Sequence, residues 1–166
     1  MPKRTTDLFV LDIIISIDRI KRFSKRMYKI DSLVKNEEAC SAVLREMGII
    51  GEAMNKILQD KTLESLVKPG WRDIVDFRNV LIHDYFGLSW EEVYYIIKKE
   101  LPIFEKEIVL FFKKLWKTDS MKIAVKDMLD YLSSMGRDKS ILQLTKLTNS
   151  FSEKTMPKKR VSKIKK

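Results

Sequence analysis

Cysteine and histidine each occur once in this chain, and among its 166 residues there are only five glycines and four prolines. The lone Cys40 cannot close an internal disulfide, so a reducing compartment fits best. One His and one Cys are too few ligands for a zinc site, and no glycine-rich phosphate loop is present. No metal and no cofactor are therefore expected. So few turn-formers argue against a meander of short strands and for long helices. Long apolar runs are also missing. The most apolar early stretch, "LFVLDIIISI", carries Asp12 and is far too short to span a bilayer. The opening "MPKRTTDLF" leads straight into an amphipathic segment with no signal peptide. The expectation is a cytoplasmic protein without a membrane partner.

What is abundant is charge. Hydrophobic residues make up 45% of the chain and charged residues 34%, with a net charge of +10. That charge is uneven. Residues 151–166 hold seven Lys/Arg against one Glu, leaving a mildly basic body and a strongly basic tail. Lys158, Lys159, Arg160, Lys163, Lys165 and Lys166 are candidate contacts to nucleic acid. The plainer reading of the same residues is a disordered, solubilising tail.

Apolar residues recur at helical spacing. Val10, Ile13, Ile17, Ile20 and Met27 form one stripe; Cys40, Val43, Met47, Ile50, Met54 and Ile57 form another; Val93, Ile97, Leu101, Phe104, Ile108, Phe111 and Leu115 form a third. Helices are expected over about 6–28, 37–59, 71–86 and 89–116, the last begun by a Ser89/Glu92 capping box and kinked at Pro102. Pro69 and Gly70 mark the turn before the third, and Gly87 suits its end. Leu8, Leu11 and Ile15 give the first helix a second apolar side, which needs a second partner, either within the chain or from another subunit. Met121, Val125, Met128, Leu132 and Met135 make a further stripe that stops at Gly136, and Ile141, Leu144 and Leu147 make a shorter one. Cys40 reads as a core thiol, and Trp71, Trp90 and Trp116 as packing residues at helix ends.

The segment "RNVLIHDY", residues 78–85, contains the only histidine. Asn79 and His83 are four apart and share a helix face, as do Arg78 and Tyr85, seven apart. Arg78 and His83 are separated by roughly 140° around an ideal helix. For both to reach one phosphate, a helix end or a second subunit would help. The chemistry suits metal-free RNA cleavage. There the 2′-OH attacks its own phosphate, a base takes its proton, an acid protonates the 5′-oxygen, and a cation steadies the charged phosphorane. Histidine can serve as base or acid, and arginine's fork matches two phosphate oxygens. Asn79 could hold an imidazole nitrogen or the substrate, and Tyr85 could donate to phosphate or stack on a base. Asp84 either tunes His83 or faces water, and Glu52 either orients Arg78 or is solvated. One histidine per chain cannot easily be both acid and base, whereas a dimer supplies two. A structural histidine is the competing reading.

The stretch "WRDIVDFRNVLIHDYFGLSWEEVYYIIKKELP" resembles the HEPN superfamily, and specifically the HepT toxins of MntA–HepT toxin–antitoxin systems. Arg78, His83 and Tyr85 fit that family's Arg-x4-His-x-Tyr pattern, and "AVLREMGIIGEAMNKI" resembles its second helix, with Ile50, Gly51, Glu52 and Ala53 in register. The resemblance covers roughly residues 6–116. It implies an all-α, up-down bundle of four to five long helices that forms a homodimer. It also implies a metal-independent endoribonuclease with Arg78 and His83 catalytic, supported by Asn79, Asp84 and Glu52. Tyr85 would be the site where a partner MntA-like nucleotidyltransferase antitoxin attaches AMP. The alternative is a non-catalytic helical subunit that serves only as that enzyme's partner and substrate. The organisation expected is a bundle over 1–117, a helical extension over 118–150 that the family does not account for, and the basic tail over 151–166.

Overall fold

The computed structural model describes residues 4–83 and 87–153. Among the described residues there are eight α-helices and no strand. They are α1 (Thr6–Phe23), α2 (Ile30–Val34), α3 (Glu37–Leu58), α4 (Trp71–His83), α5 (Trp90–Tyr95), α6 (Leu101–Leu115), α7 (Asp119–Ser134) and α8 (Asp138–Glu153). None of them is long and apolar enough to cross a membrane.

Local chemistry sets the boundaries. The first helix stops five residues earlier than its stripe suggests. The Ser24 hydroxyl donates to the Ile20 carbonyl at 2.7 Å, and the chain tightens into a 3-10 turn over Ser24–Arg26. Met27 is still buried, so the stripe reports burial correctly and helix length incorrectly. Helix α2, five residues long, is too short to show a period and was not expected. At α3 the Asn36 side chain accepts from the Ala39 N–H, and Glu37 and Glu38 sit in the electropositive first turn. Ser89 caps α5 by accepting from the Glu92 N–H, but the carboxylate it donates to is that of Glu91 rather than Glu92. Gly136, at φ 61°, takes the left-handed conformation that ends α7. The Gly136 and Arg137 N–H groups then donate back to Ser133 and Leu132. Met135, last in its stripe, falls past the end of α7 and is exposed.

The expected helix over 89–116 is one helical path in three parts, α5, a π-helical turn over Ile96–Glu100, and α6. The Leu101 N–H bonds back to Ile96, five residues away. Pro102 therefore falls in the first turn of a re-registered helix, where its missing N–H costs little. The disturbance expected from this proline is an inserted residue upstream of it.

The core lies around α1, which borders α3, α6, α7 and α8. Val10, Leu11, Ile13, Ile14, Ile15, Ile17 and Ile20 are all buried. The second apolar side of α1 is thus covered within the chain. Met121, Ala124, Val125, Met128 and Leu132 of α7 and Leu144 of α8 belong to the same core. Cys40 is buried there, and burial pushes its thiol pKa up, away from reactivity. Trp71 is fully buried, and Trp90 and Trp116 pack against the core from helix ends.

Asp60, after α3, ties the start of α1 to this core. It accepts from the Thr6 hydroxyl at 2.6 Å and from the Thr62 hydroxyl and N–H at 2.6 and 3.0 Å. The bonds from Thr6, then those from Thr62, hold its carboxyl below the ordinary 3.8. A depressed carboxylate stabilises the fold above its unfolded-state pKa and loses that contribution as pH falls through its folded value. Asp60→Asn should therefore lower the melting temperature at pH 7, and the gap from the unchanged protein should close as the pH drops below about 4. Melting curves of both proteins between pH 7 and 3 check this.

Candidate active site

Helices α3 and α4 approach closely at one point. A Cβ added to Gly51 would overlap Cβ of Arg78, come 2.7 Å from its Cγ and lie 3.3 Å from the Ile74 carbonyl oxygen. Only glycine leaves room for the stem of Arg78 to cross α3 here. One residue on, Glu52 receives the end of that side chain, with Nη2 of Arg78 2.6 Å from Oε2. Nη1 of Arg78 donates to Oδ1 of Asn79 at 3.0 Å. The Arg78 side chain is a quarter exposed, while its Nε is buried with no partner among the described residues. The fork is thus fixed from two sides, and each terminal nitrogen retains a further N–H.

The other end of α4 is anchored by Trp71. Its Nε1 donates to Oε2 of Glu107 at 2.9 Å, and its ring meets Phe111 and Phe104 edge-on at 5.2 and 6.3 Å. One end of the helix is thus clamped on α6 and Arg78 is clamped on α3, and His83 is the last described residue of α4. His83 follows Arg78 by about 7.5 Å along the axis.

The structure therefore brings together Arg78, Glu52 and Asn79. Glu52 contacts Arg78 and also Lys56, at 3.8 Å. Asn79 turns its side-chain oxygen to Arg78. His83 closes the described part of α4. Asp84 and Tyr85 lie outside the described residues, as do Lys158, Lys159, Arg160, Lys163, Lys165 and Lys166 of the tail. Two features escaped sequence reasoning. The steric role of Gly51 needs a second helix to become visible, and the Trp71–Glu107 bond joins residues 36 apart.

A family model for HepT-like ribonucleases matches residues 13–110. The chain belongs to the HepT-like ribonuclease family. It is 34% identical over 115 residues to a Methanocaldococcus jannaschii protein provisionally named an RNase, covering 69% of this chain and 97% of the relative. A second protein of that organism with the same kind of name is 33% identical over 108 residues, 65% of this chain and 97% of the relative. A Thermococcus cleftensis protein named as a probable ribonuclease HepT is 32% identical over 101 residues, 60% of this chain and 89% of the relative. No solved structure matches. The two M. jannaschii proteins are used almost to their full length. The residues of this HepT-like chain that they leave over, about a third, have no counterpart in them.

Gly51→Ala should force α4 off α3. Overpacking of this kind costs about 1–3 kcal/mol. RNA cleavage should fall further than the lost stability explains, because the fork of Arg78 shifts. Thermal melts together with cleavage rates, measured well below the transition, separate the two effects.

Proposed function

We propose that this HepT-like chain is the toxin of a toxin–antitoxin pair, a metal-independent endoribonuclease that acts as a homodimer and is silenced by AMP placed on Tyr85. The observation that carries the reading is the fixed guanidinium of Arg78, held by Glu52 and Asn79 five residues ahead of the only histidine. A preorganised cation is what a charged phosphorane needs, since no reorganisation is then required as charge develops. His83 moves the proton, with Asp84 beside it in sequence to orient the imidazole. In a homodimer one His83 takes the 2′-OH proton and the other protonates the departing 5′-oxygen. Val80 and Ile82, 41% and 53% exposed on α4 between Arg78 and His83, offer an apolar surface to a second copy. A nucleotidyltransferase of the MntA kind would act at Tyr85. AMP on Tyr85, seven residues after Arg78, would add a phosphate that can occupy the fork of Arg78 and repel RNA.

Arg78→Ala and His83→Ala should each slow cleavage of total RNA by about 10²-fold or more and relieve growth arrest, with rates compared well below each variant's melting transition because Arg78 also clamps α4 on α3. If both variants still cut at the original rate, the assignment is wrong. If the unaltered chain cuts nothing yet accepts AMP at Tyr85, it is a non-catalytic partner subunit. Tyr85→Phe should stay toxic when the nucleotidyltransferase is co-expressed. Val80→Asp with Ile82→Asp should yield a folded monomer by light scattering, and that monomer should not cut.

A further inference from the structure

A cleft of about 330 Å³ lies between α4 and α6, with α3 behind it. Helix α3 contributes Met47 and Ile50, α4 contributes Ile74 and Phe77, and α6 contributes Ile103 and Phe104. Folding leaves this lining partly uncovered. Met47 and Ile50 are buried, but Ile74, Phe77 and Phe104 are only half-buried and Ile103 is 62% exposed. Ile96 and Glu100 reach the cleft from the π-helical turn, and such turns recur at functional sites. Phe77 faces the cleft, while Asn79, two residues on, is turned from it by about 200° around the helix.

The cleft carries charge of the opposite sign to the chain. Asp73, Glu100 and Glu107 line it and no lysine or arginine does, in a chain whose net charge is +10. Among the described residues Asp73 and Glu100 have no cationic partner, whereas the nearby Asp76 and Glu105 are paired with Arg72 and Lys21. Glu107 receives the neutral N–H of Trp71, which leaves its charge uncompensated. Complementing the positive end of α4 explains Asp73, which sits in its first turn. It does not explain Glu100, inside a continuous helical path, or Glu107, midway along α6.

We infer that this cleft is a docking site for a basic amphipathic helix of another protein. Apolar residues at helical spacing on that helix enter between Ile74, Phe77 and Ile103, and flanking lysines or arginines meet Asp73, Glu100 and Glu107. The inference goes beyond the ribonuclease reading and stands without it. RNA and anionic membrane surfaces are poor occupants, because three carboxylates repel their phosphates. A helix fits better than an extended segment, since the walls are helices and among the described residues no sheet edge is on offer. From Trp71 to Phe77 the cleft follows α4 for about 9 Å, nearly two turns, which admits anchors at i, i+3 or i+4, and i+7. The fork of Arg78 turns instead towards Glu52 and Asn79, so a partner seated in the cleft leaves it open. The surface suits recruitment of a partner rather than obstruction of the site.

The test follows, by fluorescence anisotropy, the binding of a labelled synthetic peptide to the full-length chain. The peptide is an amphipathic helix of about 16 residues, with leucines along one face, lysines flanking them and alanines elsewhere. It should bind saturably, and the same peptide with glutamates in place of lysines should bind at least about tenfold more weakly. Asp73→Asn with Glu100→Gln should weaken the lysine peptide at least about tenfold, and so should Ile103→Ser. All three side chains are exposed, so melting curves should be unchanged. Asp127→Asn with Asp130→Asn, an equal loss of exposed negative charge on α7, should weaken it less than about twofold. Equal weakening by the cleft pair and the α7 pair would mean diffuse attraction and overturn the cleft. So would a lysine peptide that does not bind, or cleft variants that bind it unchanged. Light scattering of Ile103→Ser decides the remaining occupant. If this substitution lowers the mass of the assembled chain, a second copy fills the cleft and the inference fails.

Discussion

The arrangement of the site depends on one steric fact, the absence of a side chain at Gly51. Two helices can approach this closely only where one of them offers bare backbone. Here that approach lets an arginine stem cross the neighbouring helix and meet the carboxylate one residue further on. The buried Nε of Arg78 marks how far the side chain is drawn into the contact. An exposed arginine would sample many rotamers. This one has lost that freedom on folding, so its orientation is already set when substrate arrives. On the function proposed above, packing between α3 and α4 is in this sense part of the chemistry.

The extension changes what the rest of the surface can do. The first helix is apolar on two sides, which admits a partner subunit, yet α7 and α8 cover α1 from within the chain. The homodimer proposed above would therefore use another surface, and Val80 and Ile82, exposed on α4, lie next to Arg78 in the chain. By packing on α1 and seating Phe151 against Phe112 and Trp116, the added helices also cover the end of α6.

Much of this was legible in the residues. Periodicity identified the all-α class and the span of α3 to within a residue, because Asn36 caps one end and the stripe stops at the other. The three-residue pattern at 78, 83 and 85 was visible because its members lie close in sequence. Glu52 was left undecided, between orienting Arg78 and facing water, since nothing local shows which residue of another helix it meets. Pairings such as Arg78–Glu52 and Trp71–Glu107 arise only when helices cross, and a one-dimensional period carries no information about crossing. The early end of α1 was missed for a different reason. Met27 continues the stripe by being buried in a turn, and burial alone does not distinguish a turn from a helix.

The π-helical turn before Pro102 ties the length of this segment to the packing of α6. One residue more per turn rotates everything downstream by roughly 100° relative to a regular helix. The faces that carry Glu107, Phe112, Trp116, Lys113 and Lys114 all lie after it. Losing a single residue from Ile96–Glu100 would leave the helix intact while swinging the aromatic seat toward solvent and the cations toward the core. Insertions and deletions here are therefore constrained by phase, and a homologue that gained or lost one residue in the turn would have to compensate on every face of α6.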